Sequence, residues 1–149
     1  MSINNDGDEI RGLGFVALSA GYLEEQIDEL LFMVQPLEPF PEAEQRWGVS
    51  RKIEKARRLI AALNFETRGD LLSDLARLPD LFEWRNEVIH GRVYGNFNRG
   101  NTLRSGRPNV PERDISAAEL YELANALDAA RNSLIRPMVL KIPRALQAL

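Results

Sequence analysis

Cysteine is absent from the 149 residues, and histidine occurs once, at His90. Without thiols there is no disulfide framework and no thiolate zinc site, and a single imidazole makes a poor start for any zinc site. No apolar run approaches the ~20 residues that a helix needs to cross a bilayer. The opening MSINNDGDEI is polar and acidic, unlike a secretory signal or a transit peptide. A Walker-type phosphate loop and a GxSxG elbow are also missing. These absences lead us to expect a cytoplasmic protein with no membrane span, no metal and no cofactor.

What is present has the balance of a globular protein: 44% hydrophobic and 28% charged residues in a length suited to one domain, 1–149, with residues 1–9 expected to be disordered. Net charge is −3, but it is unevenly spread. Residues 1–44 carry ten acids against Arg11 alone, whereas residues 45–149 carry 12 acids and 18 basic residues. Either an anionic partner meets a basic face, or acidic and basic segments of the chain pair with each other.

Leu13, Val16, Ala20, Leu23, Ile27, Leu30 and Val34 repeat at alternating spacings of three and four, which predicts a long first helix. Phe15, Leu18 and Tyr22 add a second apolar stripe, to be covered by other helices or by a second copy of the chain. Pro36, Pro39 and Pro41 end this helix. Ser50 is placed to cap a second helix bearing Ile53, Ala56, Ile60 and Leu63. Its other face holds Arg51, Lys52, Lys55, Arg57 and Arg58, a run that reads as a solvated face or a phosphate-facing one. A third helical region starts near Thr67 with Leu71, Leu75 and Leu78 on one face, and Pro79 either kinks it or starts a new helix. Ser116-Ala-Ala-Glu119 forms a capping box for a fourth helix with Leu120, Leu123, Leu127, Ala130 and Leu134. The tail adds a short helix. The expected fold is all-α, an antiparallel bundle of four to five helices.

Residues 91–115, between the third and fourth helical regions, form a basic loop or a short hairpin in which Val93-Tyr94 pairs with Thr102-Leu103. Arg92, Arg99, Arg104 and Arg107 alternate with Tyr94 and Phe97, and no acid precedes Glu112. Arginines hold backbone phosphate while aromatic rings stack bases, so these six residues are the candidate RNA-binding set.

The sole histidine lies in WRNEVIHG, Trp84 to Gly91. On a helix Asn86 and His90 share a face bordered by Glu83 and Glu87. Two apolar registers, Leu78-Phe82-Arg85-Ile89 and Leu78-Leu81-Arg85-Val88, both put Arg85 in the core-facing stripe, where leucine would be the ordinary choice. A structural explanation has Arg85 paired to an acid, His90 favoured by the helix dipole and Gly91 in the left-handed cap position. A chemical explanation has His90 moving a proton, Arg85 steadying a phosphorus centre and Asn86 orienting an oxygen, with the 2′-hydroxyl of RNA as nucleophile. Such cleavage works best with both a base and an acid, so one histidine per chain implies a homodimer.

RNEVIH resembles the Arg-polar-(x)3-His signature of the HEPN superfamily, the higher eukaryotes and prokaryotes nucleotide-binding domains. The helical layout of nearly the whole chain resembles that family too. The resemblance implies a metal-independent endoribonuclease, a toxin or defence component, with Arg85, Asn86 and His90 catalytic at a dimer cleft and an antitoxin or other protein as partner. Members silenced by nucleotidyltransferases often carry tyrosine two residues after the histidine, where this chain has Arg92. The order of a basic helix followed by a motif helix is also similar to the mannitol-repressor family, which implies a non-catalytic regulatory module.

Overall fold

A computed structural model of the chain describes residues 9–96 and 100–149. It is mostly helical, with one small sheet: α1 (Glu9–Met33), α2 (Glu42–Gln45), α3 (Val49–Ala61), α4 (Arg68–His90), β1 (Arg92–Asn96), β2 (Gly100–Arg104), β3 (Arg113–Ile115), α5 (Ala117–Leu140) and α6 (Ile142–Gln147). No helix among the described residues is long and apolar enough to cross a membrane. Two compact units divide the chain. The first takes the described residues up to Ala20 and Asp80–Leu127; the second takes Gly21–Pro79 and Asp128–Leu149.

The second, helical unit realises the 3-4 stripes. Leu23, Ile27, Leu30 and Val34 are buried, as are Ile53, Ala56, Ile60 and Leu63, and Leu71, Leu75 and Leu78. Each of these leucine, isoleucine and valine side chains contributes about 1.5–3 kcal/mol by leaving water. Phe40, which no helical stripe includes, is also in this core and meets Phe32 edge-on at 5.0 Å. Gly48 is the N-cap of α3, and Ser50 lies one residue inside the helix; the cap makes no side-chain hydrogen bond. Prolines stand inside both α4 and α5, at Pro79 and Pro137, and neither ends its helix.

The basic run of α3 is not a solvated face throughout. Lys52 and Lys55 are buried. Lys52 Nζ lies 2.7 Å from Asp28 of α1. Lys55 donates to the Pro39 carbonyl at 2.6 Å, binds Glu44 and lies 3.1 Å from Glu38. Arg58 meets Glu38 at 2.7 Å, and Arg51 stacks 4.1 Å over Trp47. Acids from the N-terminal third thus neutralise much of the run, because a buried ammonium is tolerable only when paired. Arg58 first, and then Lys55, hold the Glu38 carboxyl below its ordinary value.

The sheet unit combines the first part of α1, the last part of α4, the sheet and the first part of α5. The hairpin alternative holds, in the expected register: Val93 opposite Leu103 and Tyr94 opposite Thr102. A third strand, which the sequence did not suggest, pairs antiparallel with β2, Leu103 opposite Arg113. Strand alternation gives the sheet two faces. Leu103 and Ile115 are buried on the inner one with Val16, Phe82, Val88, Leu120 and Leu123. Ser116 Oγ accepts the Glu119 N–H at 3.2 Å, so half of the capping box forms; the Glu119 carboxylate turns instead to Arg113. Gly12 lets α1 approach α5, since a Cβ there would sit 2.8 Å from the Leu120 Cβ. The stripe of Phe15, Leu18 and Tyr22 stays 40–51% exposed, although Phe15 meets Tyr121 at 5.8 Å.

Candidate active site

The final turns of α4 present the motif. Phe82 and Val88 are buried while Leu81 and Ile89 are half-buried, so the helix takes one residue from each expected register. Arg85 lies between them, half-buried, its guanidinium 5.4 Å from the Phe82 ring centroid. The stem of an arginine packs on apolar surface and its planar head stacks on an aromatic face, which is how the helix accommodates a charge at that position.

Asn86 and His90 line a cleft of about 320 Å³, together with Glu83, Glu87, Ser105 and Arg107. Arg85 does not line it, so the structure joins two of the three motif residues and leaves the third on a neighbouring face. His90 is exposed and Asn86 half-buried. Both flanking acids are engaged by arginines from beyond the hairpin: Arg107 binds Glu83, and Arg113 binds Glu87 at 2.5 Å. Arg113 also binds Glu119 of α5 at 2.6 Å. Glu119 and then Glu87 raise the Arg113 pKa further above its ordinary range, against the opposing pull of burial.

The chain leaves α4 directly into β1, and this gives Gly91 a role other than the left-handed cap. Its φ is not in the left-handed region. Its N–H donates to the Glu87 carbonyl at 3.1 Å, and a Cβ here would meet Leu103 Cδ1 at 2.5 Å and that same carbonyl at 2.7 Å. Glycine therefore lets the hairpin close over the end of the motif helix. Beyond β2, Ser105 Oγ accepts the Arg107 N–H at 3.0 Å, and Asn109, at φ 64°, turns the chain towards β3.

Of the candidate RNA-binding residues, Arg92, Tyr94 and Arg104 share the outer face of the sheet by strand alternation. Tyr94 is 44% exposed, and the Arg104 guanidinium lies 4.9 Å over its ring while also pairing with Glu112 at 2.6 Å. Arg107 belongs to the cleft instead. Phe97 and Arg99 lie outside the described residues. Sequence reading missed Arg113, Glu87 as its partner, and Ser105 as a wall of the cleft. Only the inward alternation of Arg113 with Ile115 could have flagged the arginine, and three residues are too short to reveal a period.

No protein-family model matches the chain, and neither a curated protein nor a solved structure does. Among the described residues no group of three or more His, Asp or Glu side chains is arranged to hold a metal ion.

Proposed function

We propose that the protein is a metal-independent endoribonuclease of HEPN type, an antiparallel helical bundle acting as a homodimer, in a toxin or defence role with a protein antitoxin as partner. The observation that carries this reading is the cleft in which an exposed His90 and Asn86 stand beside Arg107, at the foot of a strand carrying Arg92 and Tyr94 outward. In the reaction His90 takes the proton of an RNA 2′-hydroxyl. That oxygen bonds to phosphorus, the bond to the 5′ oxygen breaks, and the leaving oxygen takes a proton from the imidazolium of the second copy. The products are a 2′,3′-cyclic phosphate and a 5′-hydroxyl. Asn86 orients the 2′-hydroxyl. Arg85, which the resemblance makes catalytic, steadies the phosphorus centre at the dimer cleft, and Arg107 is the arginine that lines the cleft within one copy.

The test compares wild type with His90→Ala on mixed RNA in excess chelator, reading cleavage and end groups. Cleavage with cyclic phosphate ends, lost by about a hundredfold or more in His90→Ala, supports the reading. A second reading, a regulatory module similar to the mannitol-repressor family, is favoured by the packing of Arg85 on Phe82, which gives the arginine a structural role. Absence of cleavage by a folded, dimeric wild type would establish the second reading over the first.

A further inference from the structure

The stripe of Phe15, Leu18 and Tyr22 is only partly covered by the described residues, and its own layout points to what covers the rest. No charged residue stands between Arg11 and Glu24, so about three turns of α1 are uncharged. There Gly14, Phe15, Leu18, Gly21 and Tyr22 are all exposed, Leu18 to 51%. A Cβ at Gly14 or Gly21 would meet nothing within 4 Å, so packing among the described residues requires neither glycine. Gly12 differs, since it admits Leu120 of α5.

At about 3.6 residues per turn, Leu18 marks the centre line of this face. Gly14 and Gly21 fall to one side of the line, Phe15 and Tyr22 to the other. Phe15 leans on Tyr121 at 5.8 Å, and the Arg131 guanidinium lies 5.4 Å over the Tyr22 ring. Both rings are thus steadied from one flank while the rest of each stays exposed. Arg11 and Glu25, both exposed, close the face at its ends, about 21 Å apart along the axis. Opposites balance about Leu18. Arg11 stands seven residues before it and Glu25 seven after; Gly14 four before and Tyr22 four after; Phe15 three before and Gly21 three after.

Two identical surfaces can join about a two-fold axis only if each complements itself. An axis at Leu18 that runs two copies of α1 antiparallel brings every one of these positions level with its opposite. Arg11 then meets the partner's Glu25, whereas a parallel pair sets arginine against arginine and glutamate against glutamate. The same axis keeps like sides together. On one side the glycines of both copies let the backbones approach closely, and on the other Phe15 packs beside the partner's Tyr22. An unrelated protein would have to reproduce this alternation by chance; a second copy carries it already.

We propose that the exposed face of α1 is an interface of the homodimer, formed by antiparallel pairing with α1 of a second copy about Leu18. This gives the homodimer of the preceding reading a named surface and rests on that reading to that extent; the pairing itself requires no cleavage.

Sedimentation of the full chain over a concentration series tests it. The wild type should dimerise. Arg11→Glu and Glu25→Arg should each weaken the dimer about tenfold or more, and the double variant should regain the affinity of the wild type. Gly14→Leu meets open space in its own chain, so it should keep the helical circular dichroism and weaken the dimer by a similar factor. The chain has no cysteine, so Leu18→Cys places a lone thiol at the axis, and mild oxidation should link two copies through it. A monomeric wild type overturns the proposal. So do single variants that dimerise unchanged, a double variant no better than the singles, or Leu18→Cys that fails to cross-link. RNA cleavage read on the same samples keeps the two ideas apart. A dimer that these variants break but that leaves RNA intact counts against the nuclease alone. A dimer that cleaves RNA and ignores the variants counts against the α1 interface alone.

Discussion

Two stretches of this chain look alike as sequence and differ in how deeply their cations are buried. Arg51 to Arg58 and Arg92 to Arg107 are both rich in cations, and either could have been a surface for an anionic partner. On α3 the lysines point inward and are matched: Lys55 is 4% exposed and holds two carboxylates and a carbonyl. On the hairpin, strand alternation turns Arg92, Tyr94 and Arg104 outward together, and Arg92 makes no ion pair with a described residue. The difference teaches that a basic run tells nothing of a partner until the acids that fold against it are known. Here three acids of residues 1–44, Asp28, Glu38 and Glu44, meet α3, whereas on the hairpin Arg104 is paired with the later Glu112.

The most severe way to break that comparison is Lys55→Ala. Removing the ammonium leaves Glu44 without its counter-charge and Glu38 with Arg58 alone, and the loss should be about 2–3 kcal/mol in chemical denaturation. A loss under about 0.5 kcal/mol would mean that the carboxylates simply turn to water, and that the α3 run is a solvated face after all. Next comes Gly91→Ala, which tests the seat of the hairpin rather than its charge. A methyl group here meets the Glu87 carbonyl and Leu103 well inside contact distance, so the sheet must shift at a cost of about 1–3 kcal/mol. Hydrogen exchange should quicken in the strands. Unchanged protection there would show that the hairpin closes without needing this glycine.

These two residues also mark how far the sequence could be read. The helical stripes were legible because a 3-4 repeat survives any choice of partner, and the hairpin register was legible because Val93 and Leu103 had to share an inward face. The shared face of Asn86 and His90 followed from helical geometry alone. What was hidden depends on contacts distant in sequence. Lys55 reads as surface until Pro39, Glu38 and Glu44 fold over it. Gly91 reads as a cap until Leu103 comes within reach of it. Arg113 lies in a strand too short to show alternation, and its partners stand 26 and 6 residues away. The location of Arg85 on Phe82 rather than in the cleft is a matter of rotamer and packing, which spacing does not determine.

Arg113→Ala sharpens the comparison from within the sheet unit, since Arg113 is the inward cation there and the counterpart of Lys55. Its side chain is 34% exposed, so the Glu87 and Glu119 bonds are partly screened and the loss should be about 1 kcal/mol. Arg92→Ala is the outward counterpart. It should leave stability within about 0.5 kcal/mol and weaken binding to single-stranded RNA, lowering the salt slope by about one unit or less. If Arg92→Ala proved as destabilising as Arg113→Ala, the two faces of the sheet would not differ as described.

The smallest expected effect concerns Glu38, the exposed acid that serves both Arg58 and Lys55. Its carboxyl is held below the ordinary 4.5, chiefly by the hydrogen bond from Arg58 and then by that from Lys55. A folded-state value below the unfolded one means that the folded chain prefers the ionised form. The resulting stabilisation is present in full above the ordinary value and is lost as pH falls through the lowered one. Glu38→Gln should therefore be less stable than wild type near neutrality, and the two denaturation midpoints should converge as the medium is taken down to about pH 3. A gap that stayed constant through that range would assign the effect of the substitution to packing. A gap that widened towards acid would reverse the sign and with it the account of how the N-terminal acids answer the basic run of α3.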